Sequence, residues 1–194
     1  GETDVSNASR PIKDSEVESC REIGREPIEF RIGTDALAVG VNPENDWAED
    51  ITLEELATIW GREAEGQVTS WNQVRSTWPD NPLNLYGPGE DSGTFDYFTE
   101  AVTGDAGNSR TDYTASEDDN VLVQGIRGGK DALGFFGYAY YQENQDKIRA
   151  VPIVNKEGKK VRPSELRISD GTYSPLARPL FLYVRAEAAG RRDV

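Results

Sequence analysis

The run Ala36-Leu37-Ala38-Val39-Gly40-Val41 contains no polar residue, and Asn42-Pro43 closes it. A strand that is apolar at every position must be covered on both faces, and the proline that follows cannot donate to a ladder. Residues 28–32 alternate and lead into this run. Shorter strand patterns recur at 83–87, 133–136, 148–154 and 180–184. Helical patterns lie between them. Thr52-Leu53-Glu54-Glu55 is a capping box, in which the threonine oxygen takes the Glu55 amide and the Glu55 carboxylate returns to the cap. The helix it opens carries Leu53, Leu56, Ile59 and Trp60 on one face and stops at Gly61. Ser15 is expected to cap a short helix through Glu18, with Val17, Cys20 and Ile23 on one side. A further short helical start lies at 70–74. A helix runs from Gly93 to about Val102 with Phe95, Phe98 and Val102 inward, and residues 104–116 read as a loop. Ser116 with Asp119 is expected to cap the next helix, whose apolar face uses Val121, Val123 and Ile126 up to Gly128-Gly129. Residues 138–145 read as a helix. Strands alternating with helices at this spacing define an α/β class with a mainly parallel sheet.

The inventory of side chains excludes several chemistries. The 194 residues include no histidine, no methionine and one cysteine. A Ser-His-Asp triad, a Cys-His pair and an ordinary histidine-ligated zinc site are therefore impossible. So is an intramolecular disulfide or an iron–sulfur site built within this chain. Cys20 fits either side of a membrane; it reads first as a buried thiol and leaves an intermolecular disulfide open. With 35 acidic against 21 basic residues the formal charge is −14. That balance argues against unspecific binding to nucleic acid or to an anionic membrane surface, since both demand a basic face. No window approaches the roughly 20 apolar residues that a membrane-spanning helix needs. The 4 Trp, 8 Tyr and 6 Phe residues suffice for a real core. Residue 1 is a glycine, which reads as a processed or excised chain.

The segment richest in chemistry is Tyr86-Gly87-Pro88-Gly89-Glu90-Asp91-Ser92-Gly93-Thr94-Phe95. A strand ends in a glycine loop, and Ser-Gly-Thr opens an amphipathic helix. The first amides of a helix lack internal partners and carry the positive end of its dipole. Gly93 allows close approach to the backbone, and the Ser92 and Thr94 hydroxyls add donors, which makes a ready anion site. The local pattern serves equally well if Ser92 merely caps the helix. A second segment, Asp4-Val5-Ser6-Asn7-Ala8-Ser9-Arg10-Pro11-Ile12, sets a serine beside an arginine in a polar loop. Ser9 and Arg10 could offer a hydroxyl and a planar fork to a tetrahedral oxyanion, or Arg10 could be a solvated surface charge.

Taken together, residues 4–12, Ile32-Gly33-Thr34-Asp35-Ala36-Leu37-Ala38-Val39, residues 52–60 with Trp71, and Asp91-Ser92-Gly93-Thr94-Phe95 fall in a familiar order. So do Ala132-Leu133-Gly134-Phe135-Phe136-Gly137-Tyr138 and Tyr173-Ser174-Pro175-Leu176-Ala177-Arg178-Pro179-Leu180. The chain resembles the PstS-type phosphate-binding proteins, in their PstS/SphX branch, over nearly its whole length. The resemblance implies a type II periplasmic-binding-protein-like α/β fold of two lobes closing on a dehydrated phosphate, with one lobe incomplete. Residues 1–42 would belong to lobe I, 43–143 would form a continuous lobe II, and 144–194 would return to lobe I. It implies a solute-binding receptor rather than an enzyme, without cofactor or metal, that passes inorganic phosphate to the membrane permease of an ABC transporter. An extracytoplasmic location follows, in the periplasm or on the outer face of the cell membrane.

On the same basis the phosphate ligands would be Ser9, Arg10, Asp35, Ser92, Gly93 and Thr94, with Glu90 and Asp91 behind them. Two departures from the family pattern stand out. Where the best-known branch has an aspartate after the serine, this chain has Arg10. Where an arginine precedes the Ser-Gly-Thr serine by four residues, it has Pro88. Asp35 is expected to replace the missing carboxylate acceptor or to hold Arg10 in place. The Gly-Ser-Ser-Thr-type loop with which family members begin has no counterpart here, and the C-terminal helix reads as cut short. The chain is thus expected to match roughly the middle and later two-thirds of a receptor and to bind phosphate weakly or not at all by itself. Two alternatives remain at this level: a receptor for another oxyanion such as sulfate or molybdate, and a phosphate-ester hydrolase. The hydrolase would rest on carboxylates, Glu90 with Asp91 or Asp96, or on a metal at Asp112, Asp118 and Asp119.

Overall fold

A computed structural model describes residues 3–8 and 11–189. In chain order the elements are β1 (Val5–Ala8), α1 (Asp14–Glu22), β2 (Pro27–Val41), β3 (Ile51–Thr52), α2 (Leu53–Trp60), β4 (Asn84–Gly87), α3 (Gly93–Thr103), β5 (Thr114–Ala115), α4 (Asp119–Gly128), β6 (Ala132–Gly137), α5 (Tyr138–Glu143), β7 (Arg149–Ala150), β8 (Ile153–Val154), β9 (Lys160–Val161), α6 (Glu165–Ser169) and β10 (Ala177–Arg185). Contacts divide the chain into two compact units, Gly1–Asp35 with Ala177–Val194, and Ala36–Leu176. These boundaries fall elsewhere in the sequence than those of the lobes the resemblance implies.

In the first unit β1 lies antiparallel on β10, with Val5 opposite Val184 and Ala8 opposite Phe181, and β10 also borders β2. The α1 helix begins earlier than expected. The Glu16 carboxylate accepts the Lys13 amide at 2.9 Å, so Lys13 occupies the cap position, and Ser15 sits inside the first turn, where its carbonyl accepts the Ser19 hydroxyl. Val17 and Cys20 are half-buried, and Ile23 is exposed.

The second unit is built on the buried end of β2. Residues 36–41 are all buried, as the unbroken apolar run requires. They pair antiparallel with β6 on one side, Val39 opposite Phe135, and with β7 on the other, Gly40 opposite Ala150. Beyond β6 come β4 and β5, each parallel to its neighbour. A smaller sheet joins β3 and β8 in parallel and β8 to β9 as an antiparallel hairpin. The α/β class holds, but the sheets are mixed rather than mainly parallel. Apolar runs disclose burial, whereas strand direction is set by the connections between them.

Three local expectations are corrected. Residues 148–154 do not form one strand: Pro152 has no amide to give, so β7 stays with β2 while β8 crosses to the small sheet, where the Pro152 carbonyl accepts the Ile51 amide at 3.0 Å. Asp118, not Ser116, caps α4 by accepting the Asn120 amide at 2.9 Å. The α4 helix then buries Leu122, Val123 and Ile126 and leaves Val121 out. The Thr52–Glu55 box forms as read, with both reciprocal bonds present at 3.1 and 2.9 Å.

Aromatic packing holds the helices to the sheet. Phe98 of α3 stacks on Phe135 of β6, centroids 3.7 Å apart, and Trp60 of α2 meets both rings edge-on. All three are buried, and rings of this size dominate core energetics. Gly134 of β6 has room for nothing larger: a Cβ there would lie 2.6 Å from the Tyr86 carbonyl oxygen and 2.7 Å from the Ile126 side chain.

Candidate functional site

The strand β4 delivers the chain into the loop 88–92, and α3 leaves it. The loop is tied down on the strand side. The Gly87 carbonyl accepts the Ser116 amide at 3.1 Å, and the buried Pro88 carbonyl accepts the Tyr113 hydroxyl at 2.7 Å. Burial, with the charges of Glu90 and Glu117 added to it, pushes the Tyr113 hydroxyl up to about 12, so it stays a donor. On the helix side the Ser92 amide donates to the Gly89 carbonyl at 3.1 Å, and the Ser92 hydroxyl oxygen accepts the Thr94 amide at 3.2 Å. The buried rings of Phe95, Tyr97 and Phe98 fix the axis, and Tyr97 donates to the Pro175 carbonyl at 2.7 Å.

This arrangement leaves directed donors. Among the described residues the Gly93 and Phe95 amides have no acceptor, and the Ser92 and Thr94 hydroxyls donate to nothing. Gly93 is exposed, and a Cβ placed on it would meet no atom within 4 Å. Capping and anion binding are thus compatible: the serine oxygen accepts inward while its proton remains free to point outward. Glu90 and Asp91 are exposed on the loop, and Asp96 is exposed on the first turn. Their charges favour the helix dipole but oppose an incoming anion, so a bound dianion would need compensation from a cation or from desolvated donors.

Asp35 lies in the first unit at the end of that unit's part of β2. Its carboxylate meets the Arg178 guanidinium of β10 at 3.4 Å, with the Asp35 side chain 40% and that of Arg178 22% exposed. Sequence reasoning did not single out Arg178 as this partner. The pair is separated by 143 positions, and the only signal was the motif that carries it. Ser9 and Arg10 lie outside the described residues.

The aspartates considered for metal binding have other work. Asp112 accepts the Arg110 guanidinium at 2.5 and 2.8 Å and the Gly66 amide at 3.0 Å, and the arginine holds its carboxyl down at about 2. Asp118 is the α4 cap, and burial beside Asp118 and Glu117 pushes Asp119 up. Among the described residues no group of three or more potential metal ligands converges, and no helix is long and apolar enough to cross a membrane.

The α3 terminus, with its free amides, is thus fed by a glycine loop from a strand of a mixed sheet on an α/β scaffold. The chain belongs to the PBP superfamily domain family, whose model matches residues 1–193. It is similar to Protein SphX of Synechococcus elongatus, 52% identical over 194 residues, which are all of this chain and 57% of SphX. The phosphate-binding protein PstS of Staphylococcus haemolyticus is 38% identical over 196 residues, covering 100% of this chain and 59% of that protein. Among solved structures, the crystal structure of a possible phosphate binding protein from Planctomyces limnophilus superposes with a TM-score of 0.89 at 47% identity. That match covers 95% of this chain and 64% of the other. The chain therefore spans well under two thirds of the length of these curated relatives.

Proposed function

We propose that this chain is the larger part of a solute-binding receptor that captures inorganic phosphate outside the cytoplasm and presents it to the membrane permease of an ABC importer, without catalysing a reaction. The observation that carries the reading is the α3 terminus, where the Gly93 and Phe95 amides and the Ser92 and Thr94 hydroxyls are left to donate. A tetrahedral oxyanion accepts from several such donors at once, and the helix dipole favours its charge. The names of the Staphylococcus and Planctomyces relatives support phosphate as the anion. Ser9, Arg10 and Asp35 are proposed as further ligands from the sequence resemblance, with Glu90 and Asp91 as outer contributors.

Calorimetric titration of phosphate, with sulfate as the control, tests this in the chain as given and in the same chain extended at its N-terminus to the length of its relatives. Phosphate-selective binding by the extended form is expected. An extended form that ignores phosphate would overturn the reading and leave the fold without this function.

A further inference from the structure

A concave site in the second unit shares no residue with the α3 terminus. Asn45 and Glu49 of the β2–β3 connection, Arg149 of β7, Pro152, Lys160 of β9 and the adjacent Arg162 border an open cavity of about 580 Å³. The Arg149 side chain is half-buried, and its Nη2 donates to the carbonyl oxygens of Asn45 at 2.8 Å and Ala48 at 3.1 Å. These neutral partners fix the guanidinium in direction but do not neutralise it. Among the described residues neither Arg149 nor Arg162 has an ion-pair partner. The other charges of the rim are already matched, Lys160 with Asp50 at 2.5 Å and Asp46 with Lys130 at 3.1 Å. Glu49 alone is then left against two guanidinium groups. The strain registers on Arg149, which burial and then the neighbouring Arg162 push below the ordinary arginine range, with Glu49 and Asp46 acting against them. In a chain with 35 acidic residues to 21 basic ones, two arginines kept together on a hollow surface, neither in an ion pair among the described residues and with Glu49 the one unmatched carboxylate on the rim, are poised for an external anion.

We propose that this cavity is a second oxyanion site, in which the guanidinium groups of Arg149 and Arg162 together hold one small dianion of the phosphate–sulfate class. Guanidinium forks match the spacing of two oxygens on such an anion, and charge-assisted hydrogen bonds are the strong ones. Arg149, fixed by the Asn45 and Ala48 carbonyls, is pre-organised, while Arg162 is exposed and closes on the ligand from solvent. The cavity is much larger than a tetrahedral ion, so water fills the remainder. Affinity is expected in the millimolar range, about 1 mM.

The test follows backbone amide shifts by NMR while sodium phosphate or sodium sulfate is added at constant ionic strength, with chloride as the control. Saturable shifts at 45–49 and 149–162 are expected for both dianions, weakened by about fivefold or more in Arg162→Ala. Because Arg149 also anchors the 45–48 loop, its variant is Arg149→Lys, which keeps a donor for the carbonyls but loses the fork; the same loss is expected. The Gly93, Thr94 and Phe95 amides report the proposed receptor site separately in the same spectra, so failure at one site is distinguishable from failure at the other. Shifts that chloride reproduces, or wild-type affinity in either variant, would overturn the two-arginine site.

Discussion

Ser92 caps α3 and, on the proposed function, also donates to phosphate, and substitution can pull the two roles apart. Its oxygen accepts the Thr94 amide at 3.2 Å, a long bond for a cap. Ser92→Ala removes it, at a cost of about 1 kcal/mol of stability, or a fall in Tm of about 2–4 °C for a chain of this size. The same change removes a hydroxyl donor from a doubly charged ligand, a loss of about 1.5–3 kcal/mol, or about 10- to 150-fold in phosphate affinity. Ser92→Asp separates the effects. Aspartate caps as well as serine and favours the helix dipole, so stability should stay within about 0.5 kcal/mol of wild type. Its carboxylate would face the anion, and phosphate binding should vanish. Stability is read by urea unfolding followed by tryptophan fluorescence. All four tryptophans, Trp47, Trp60, Trp71 and Trp78, lie in the unit that contains Ser92, so the signal reports that unit. Affinity is read by calorimetry in the phosphate-binding form. If Ser92→Ala lowers stability but binds phosphate with wild-type affinity, Ser92 is a cap and nothing more. If Ser92→Asp still binds phosphate, the α3 terminus is not the site.

Asp112→Ala strips the buried Arg110 of its counter-charge and should cost about 2 kcal/mol at neutral pH after discounting for the partly exposed carboxylate. Because the folded carboxyl titrates at about 2, that stability is present above the unfolded value near 4 and is lost as pH falls toward 2; urea midpoints of variant and wild type should converge over that window. Tyr173 is fully buried, and its hydroxyl has no hydrogen-bond partner among the described residues, so Tyr173→Phe should raise stability by about 1 kcal/mol in the same assay. Gly134→Ala forces a methyl against the Tyr86 carbonyl and should lower the urea midpoint, at a cost of about 1–3 kcal/mol. On the proposed function, Asp35→Asn should erode the preference for phosphate over sulfate, because only a protonated phosphate can donate a hydrogen bond to a carboxylate; unchanged discrimination in competition titrations would remove Asp35 from the site.

What could be read from the sequence was what neighbouring residues decide. The Thr52–Glu55 box and the Ser92 cap each close within a few positions, and both form. Ser15 and Ser116 offered the same chemistry and lost to neighbours. Glu16 reached the Lys13 amide first, and Asp118 presented a carboxylate where Ser116 had a hydroxyl. The antiparallel course of β2 against β6 had no local signature, because an apolar strand is equally buried whichever way it runs. The same divide holds for the candidate residues: Ser92, Gly93 and Thr94 are contiguous and their place at a helix start could be read locally, whereas the contact of Asp35 with Arg178 joins residues 143 positions apart. Pro152 is the instructive intermediate case, a single residue whose missing amide was visible but whose consequence, a change of sheet, depends on which strands wait on either side.

The strand β2 passes without a break from one compact unit into the other, and its environment changes at Ala36. Phe30 and Ile32 are exposed at 47% and 58%, whereas Leu37, Val39 and Val41 are at 1% or less. Backbone amides exchange with deuterium only through openings that reach them, and openings differ in free energy from one cooperative block to another. If the two units open as separate blocks, a single continuous stretch of main chain carries two clocks, amides before Ala36 set by the unfolding of the first unit and those after it by that of the second, and one peptide map across residues 27–41 dates both events in the same molecule.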